Sequence, residues 1–179
     1  TLVNTVHCSN IIIENCKFRH CAYWHCIEIN STENSVVQNC VFDGPTYTVV
    51  DDRLYNEQIQ LDLAREGSYG PVYNCDGSLI DFKRDDTVCR NIVIRNNILV
   101  ENNIFDGPSG RMGKSRGYIF FRPMVYDLKV KNNVFISPED IDTPSYGIVL
   151  ENPDANALVT ENNVFLGKLD EEVVKGKIN

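Results

Sequence analysis

Short apolar runs, each closed by a polar corner, recur along the whole chain. The runs are Ile11-Ile12-Ile13-Glu14-Asn15-Cys16-Lys17-Phe18, Val36-Val37-Gln38-Asn39-Cys40-Val41-Phe42, Leu99-Val100-Glu101-Asn102-Asn103-Ile104-Phe105, Leu128-Lys129-Val130-Lys131-Asn132-Asn133-Val134-Phe135 and Leu158-Val159-Thr160-Glu161-Asn162-Asn163-Val164-Phe165. Their terminal phenylalanines lie 24, 63, 30 and 30 residues apart. A period of this length is the signature of a solenoid. Long segments of helical period are absent, so the repeating unit is a β-coil. Asn tolerates left-handed backbone and can turn the chain at a fixed corner. With coils stacked at about 4.8 Å, Asn15, Asn39, Asn102, Asn132 and Asn162 are expected to form a ladder. Phe18, Phe42, Phe105, Phe135 and Phe165 are expected to form an interior aromatic stack.

A second strand follows each of the first four runs: Cys26-Ile27-Glu28-Ile29-Asn30, Gln58-Ile59-Gln60-Leu61-Asp62, Tyr118-Ile119-Phe120-Phe121-Arg122 and Gly147-Ile148-Val149-Leu150-Glu151. All four alternate with period two, so Ile27/Ile29, Ile59/Leu61, Ile119/Phe121 and Ile148/Leu150 point inward. Aligned, the outward positions form three columns. They are Cys26, Gln58, Tyr118 and Gly147; Glu28, Gln60, Phe120 and Val149; Asn30, Asp62, Arg122 and Glu151.

The pattern predicts an all-β, right-handed parallel β-helix of about five coils, a single domain over 1–179. The chain starts inside the pattern, so it is expected to be a piece of a longer one. The wide phenylalanine interval holds a long excursion at roughly 63–90, whose length suggests a functional loop or packing flap. The register through Asn96 and Asn102, two nearly duplicated corners, is open. Leu169–Lys175 is the one helix-like stretch and reads as a short C-terminal cap over an open solenoid end.

Composition narrows the function. With Lys plus Arg 17 and Asp plus Glu 25, the formal charge is −8. A nucleic-acid partner needs a basic surface, and an anionic membrane does too; neither is expected. No apolar run is long enough for a membrane helix. Seven cysteines cannot all pair within the chain. His20-Cys21 and His25-Cys26 look ligand-like, yet buried thiols in a stacked core are the simpler reading, and no metal site is assigned. A Cys75–Cys89 disulfide across the excursion is conceivable.

The outward columns join aromatic faces to planar hydrogen-bonding groups, the chemistry that binds sugars. The candidate substrate-binding residues are Trp24, His25, Asn30, Gln60, Tyr118, Phe120 and Tyr146. Glu28, Asp62, Glu57 and Arg122 are the candidate catalytic residues. A hydrolase needs two carboxylates at a set separation, and Glu28 and Asp62 lie diagonally on neighbouring coils. A lyase would instead pair a carboxylate-bound cation with a base such as Arg122. Asp51-Asp52 is a further acidic cluster. A plain solvated face is the competing reading.

The Asn-Asn-x-Phe corners, with Ile-Glu-Ile-Asn and Ile-Gln-Leu-Asp strands, resemble the pectate-lyase-like superfamily over roughly residues 7–166. That resemblance implies an extracellular or cell-surface protein acting on a polysaccharide, as lyase, glycoside hydrolase, phage tailspike-type depolymerase or noncatalytic adhesin or fibre module. It also implies Ca²⁺ if the activity is a lyase's, and leaves an oligomer through the coil ends open. The Gly-His-Gly and Arg-x-Lys of polygalacturonase-type hydrolases do not occur here, so no catalytic residue is carried over.

Overall fold

The computed structural model describes residues 1–19, 25–43, 57–62, 64, 75–78, 89–100, 118–122, 125–137, 146–151, 158–167, 169 and 171–176, and the backbone alone at 48–50 and 53–55. The chain is all-β and visits three parallel sheets in strict rotation. Sheet A runs β1 (Val3–Val6), β4 (Ile27–Asn30), β9 (Ile59–Asp62), β12 (Ile119–Phe121), β15 (Tyr146–Leu150) and β18 (Glu171–Lys175). Sheet B runs β2 (Ile12–Glu14), β5 (Glu33–Gln38), β10 (Cys89–Arg95), β13 (Val125–Lys131) and β16 (Leu158–Glu161). Sheet C runs β3 (Lys17–Arg19), β6 (Val41–Asp43), β11 (Ile98–Val100), β14 (Val134–Ile136) and β17 (Val164–Leu166). Between β6 and β9, β7 (Thr48–Val50) and β8 (Arg53–Tyr55) form a small antiparallel pair. Each layer pairs with the next as parallel strands, the arrangement of a β-solenoid.

The corners follow from asparagine. Asn15, Asn39, Asn96, Asn132 and Asn162, between sheets B and C, have φ of 50–56°. A side chain able to hydrogen-bond its own backbone makes that left-handed region accessible. A second set, Asn10, Asn34, Asn91 and Asp127, has φ of 52–59° at the start of sheet B. The central layer corrects the expected register. Asn96, rather than Asn102, holds the corner, and Leu99 pairs with both Phe42 and Phe135. Asn102 and Phe105 lie outside the described residues. The aromatic stack is therefore two pairs, Phe18–Phe42 at 4.9 Å and Phe135–Phe165 at 4.7 Å, with Leu99 between them.

The residue after the corner carries an interior ladder. Asn97 Nδ2 donates to Asn133 Oδ1 at 3.1 Å, and Asn133 Nδ2 donates to Asn163 Oδ1 at 3.0 Å. The same amides donate to the carbonyls of Val37, Ile94 and Val130. Buried backbone groups at the turn are thereby satisfied. In the first layers Cys16 and Cys40 take this position, and the Cys40 N–H donates to Asn97 Oδ1 at 2.9 Å.

The core is built from the inward residues of all three sheets: Ile27, Ile29, Ile59, Leu61, Ile119, Phe121, Ile148 and Leu150 from A; Val37, Ile92, Ile94, Leu128 and Val130 from B; Phe18, Phe42, Leu99 and Phe135 from C. Most are no more than 1% exposed, each contributing on the order of 1.5–3 kcal/mol. The inward assignment for sheet A thus holds in its four repeated strands. Two further expectations change. Leu169–Lys175 is no helical cap: Glu171–Lys175 is β18, because Val173 packs on the core and pairs with Ile148. Cys75 and Cys89 are both free thiols, as are Cys8, Cys16 and Cys40. Cys89 begins β10, so the excursion ends before it; its segment from 65 to 74 and from 79 to 88 lies outside the described residues.

Candidate functional site on the outer face of sheet A

The alternation that buries Ile27, Ile59 and their equivalents turns their neighbours outward. In register, the central outward column reads Asn4, Glu28, Gln60, Phe120, Val149 and Val174. Beside it run Val6, Asn30 and Asp62, continued by Arg122 and Glu151, whose N–H groups donate to Leu61 O and Phe121 O at 2.9 Å. Glu28 and Asp62 are diagonal neighbours on β4 and β9, as the spacing predicted.

Arg122 organises this face. Its Nε lies 3.4 Å from Asp62 Oδ2, its Nη1 3.6 Å from Glu151 Oε2, and its Cζ 5.3 Å from the Phe120 ring centroid. The three charged side chains keep 15–22% of their surface exposed. A planar guanidinium between two carboxylates, with an aromatic ring beneath it, is held in orientation as well as in charge. Gln60, 4% exposed, donates from Nε2 to Asp62 Oδ2 at 3.3 Å. Its Oε1 is buried with no hydrogen-bond partner. Glu28 is half-buried and accepts from Thr1 Oγ1 at 3.1 Å. Below Asp62, the Cys89 thiol donates to the Asp62 and Ile29 carbonyls at 3.2 and 3.4 Å. Burial pushes that thiol's pKa up to about 11, so it stays a neutral donor tying β10 to β4 and β9.

The other candidates fall elsewhere. Glu57 is fully buried, its Oε2 3.8 Å from His25 Nδ1, and His25 is 2% exposed. The same histidine nitrogen is 3.2 Å from Glu57 O. This buried pair lies away from solvent, so Glu57 does not share the open part of the face. Tyr118, expected outward, points into the core: its hydroxyl donates to Ile136 O at 2.7 Å and its ring meets Phe135 edge-on at 5.8 Å. Cys26 is likewise interior, and Gly147 abuts the Phe165 ring. The column before each strand is a corner that turns inward, which period-two extrapolation from the strand misses. Phe120 does point outward, yet it is 1% exposed, as Val149 is at 0%, and neither belongs to the interior cluster. Asn30 is buried and its amide donates to Asn4 Oδ1 at 3.2 Å. Tyr146 is half-buried at the start of β15. Trp24, and Asp51 with Asp52, lie outside the described residues.

No family model, curated protein or solved structure matches this chain. Asp62, Arg122, Gln60 and Glu28 come together; Glu151 joins them from its place in the third outward column, although it was not among the candidate site residues. Among the described residues no three His, Cys, Asp or Glu side chains converge to hold a metal ion. Between Asp62 and Glu151, where a cation would be attracted, the Arg122 guanidinium already sits. These described residues do not fit a Ca²⁺ site. The arrangement supplies hydrogen-bond acceptors in rows along successive strands, suited to a ligand rich in O–H or N–H donors.

Proposed function

We propose that this chain is a right-handed parallel β-helix of about five coils, of the pectate-lyase-like kind, that acts on a polysaccharide laid along the outer face of sheet A. The observation that carries this reading is the row Asp62–Arg122–Glu151, with Gln60 and Glu28 beside it. These polar groups recur strand by strand at about 4.8 Å, a spacing that lets one extended polymer meet several of them. Glu28 and Asp62 are the carboxylates proposed to serve as acid and base if the bound chain is cut. Arg122 fixes the orientation of Asp62. Such polymers are met outside the cell or at its surface, and that is where the protein is proposed to work.

A second reading, a noncatalytic glycan-binding module, is favoured by two observations. Arg122 is engaged by both Asp62 and Glu151, and Glu57 is buried. Both readings are tested together by a glycan array followed by product analysis, measuring new reducing ends and the ultraviolet absorbance of unsaturated sugars. Turnover that is lost in Glu28→Gln and Asp62→Asn supports the enzyme. Binding without product supports the module. If no glycan binds, both readings fall.

A further inference from the structure

We propose that Cys16 and Cys40 are a redox-dependent cross-linking site, whose disulfide fastens the first coil of the solenoid to the second. The pair sits at the corner between sheets B and C, off the sheet A face, and the inference is independent of the glycan reading.

Three observations converge. First, the register brings the two thiols to consecutive layers. Ile12–Glu14 pairs with Val36–Gln38 before the corner and Lys17–Arg19 with Val41–Asp43 after it, and Val41 N donates to Cys16 O at 2.9 Å. Parallel rungs stand about 4.8 Å apart, inside the roughly 4.4–6.8 Å over which two Cα atoms carry a disulfide. The match is specific: the equivalent place in the following layer is Thr32 for Cys8, Gln58 for Cys26 and Val125 for Cys89. Secondly, the side chains are oriented alike. Cys16 Sγ donates to Glu14 O and Cys40 Sγ to Gln38 O, both at 3.2 Å. Cys40 Sγ also reaches Ile13 O at 3.7 Å, in the layer of Cys16. Burial pushes the Cys40 pKa up and the Cys16 sulfur adds to that shift. Thirdly, these are the corners that lack the amide ladder. Asn97, Asn133 and Asn163 tie their layers side chain to side chain, and the ladder ends where Cys40 N donates to Asn97 Oδ1. A thiol is a weak donor and a weak acceptor, so between the first two layers a covalent bond takes the place of the amides.

Access sets the order of the chemistry. Cys16 is exposed, whereas Cys40 is 1% exposed. The oxidant is a small disulfide, for which oxidised glutathione serves as the probe. The Cys16 thiolate attacks one of its sulfurs, forming a mixed disulfide and releasing one thiol. Cys40 then gives its proton to water and attacks the Cys16 sulfur, and the second thiol leaves. Two protein thiols become one disulfide while the oxidant is reduced to two thiols. Closure requires the Cβ atoms to draw in to about 3.8 Å, and Cys16, at the exposed end of the pair, is the partner with room to move. The closed ring contains β4, so the bond also fastens the strand that carries Glu28.

The test uses the intact chain, reduced and then equilibrated with oxidised glutathione. Remaining thiols are alkylated with iodoacetamide after unfolding, and the digest is mapped by mass spectrometry. The Cys16 peptide is expected joined to the Cys40 peptide, a result on the wild type that needs no variant to fold. In Cys40→Ser, Cys16 should stop at its glutathione adduct; in Cys16→Ser, Cys40 should be recovered alkylated. The cross-linked wild type should melt about 5–15 °C above the reduced protein, and dithiothreitol should reverse that rise. The proposal is overturned if wild-type Cys16 keeps its glutathione adduct, if its bridge runs to another cysteine, or if no rise in Tm reversible by dithiothreitol appears.

Discussion

Asn133 is the residue whose removal should cost this fold most. It is 0% exposed and its side chain makes four hydrogen bonds. Nδ2 donates to Ile94 O at 3.1 Å and to Asn163 Oδ1 at 3.0 Å, and Oδ1 accepts from Asn97 N at 3.0 Å and Asn97 Nδ2 at 3.1 Å. In Asn133→Ala some neighbours keep a partner: Asn97 Nδ2 still donates to Val37 O, and Asn163 Oδ1 still accepts from Asn133 N. The Asn97 N–H loses its acceptor in a dry interior, at about 1–3 kcal/mol, and the remaining lost bonds add about 1 kcal/mol each. The expected loss is about 4–6 kcal/mol, a large share of the roughly 5–15 kcal/mol that holds a domain together. Its neighbour Asn132 is a matched control. It is exposed, with φ of 54°, so Asn132→Gly should be near neutral and Asn132→Ala should cost about 1 kcal/mol through backbone strain alone. Urea unfolding followed by circular dichroism and by tryptophan fluorescence measures all three, with coincident transitions required before a free energy is taken. A loss below about 1 kcal/mol in Asn133→Ala, or equal losses at positions 132 and 133, would refute the argument that the amide ladder, rather than the corner, carries the energy.

Two further outcomes follow from buried groups elsewhere. The folded-state pKa of Cys89 is raised from 9.0 to about 11 by burial, so between those values the unfolded chain releases the thiol proton first. Stability should fall by about 3 kcal/mol as pH rises through that window; the drop is read as the difference in pH slope between wild type and Cys89→Ala, and parallel slopes would contradict it. Gly167 has φ of +84° and an added Cβ would run into the Ser137 carbonyl, whereas Gly77 has the same φ with open space around it. Gly167→Ala should therefore cost about 2–4 kcal/mol and Gly77→Ala about 1 kcal/mol in the same unfolding assay.

What the sequence made legible was whatever repeats. Asn15, Asn39, Asn132 and Asn162 announced their corners, and the alternation in Ile27-Glu28-Ile29-Asn30 announced which side chains face in. Where a repeat is irregular the reading failed, and for a physical reason. Two Asn-Asn pairs lie close together at 96–97 and 102–103, and the layer accepts Leu99 where its neighbours use phenylalanine, so the more conspicuous Phe105 drew the register six residues too far. Tyr118 was lost because the residue before a strand obeys the corner's geometry and not the strand's. Within the site, Glu28, Gln60, Asp62 and Arg122 were readable as outward positions, but burial of Phe120 and the ion pair from Arg122 to Glu151 depend on what stacks above and below, which pairing alone supplies.

The layers keep their pairing although the links between them differ greatly in length. From β4 to β5 the chain spends two residues, and from β9 to β10 it spends twenty-six, yet Asn30 still pairs with Asp62 and Glu33 still pairs with Arg90. Pitch is therefore dictated by the rungs and is blind to how much chain is paid out at a bend. The bend after Asp62 is accordingly a natural cassette position: foreign loops, epitopes or whole small modules placed there should leave the winding undisturbed, and lineages could swap what hangs from it while inheriting the same spindle.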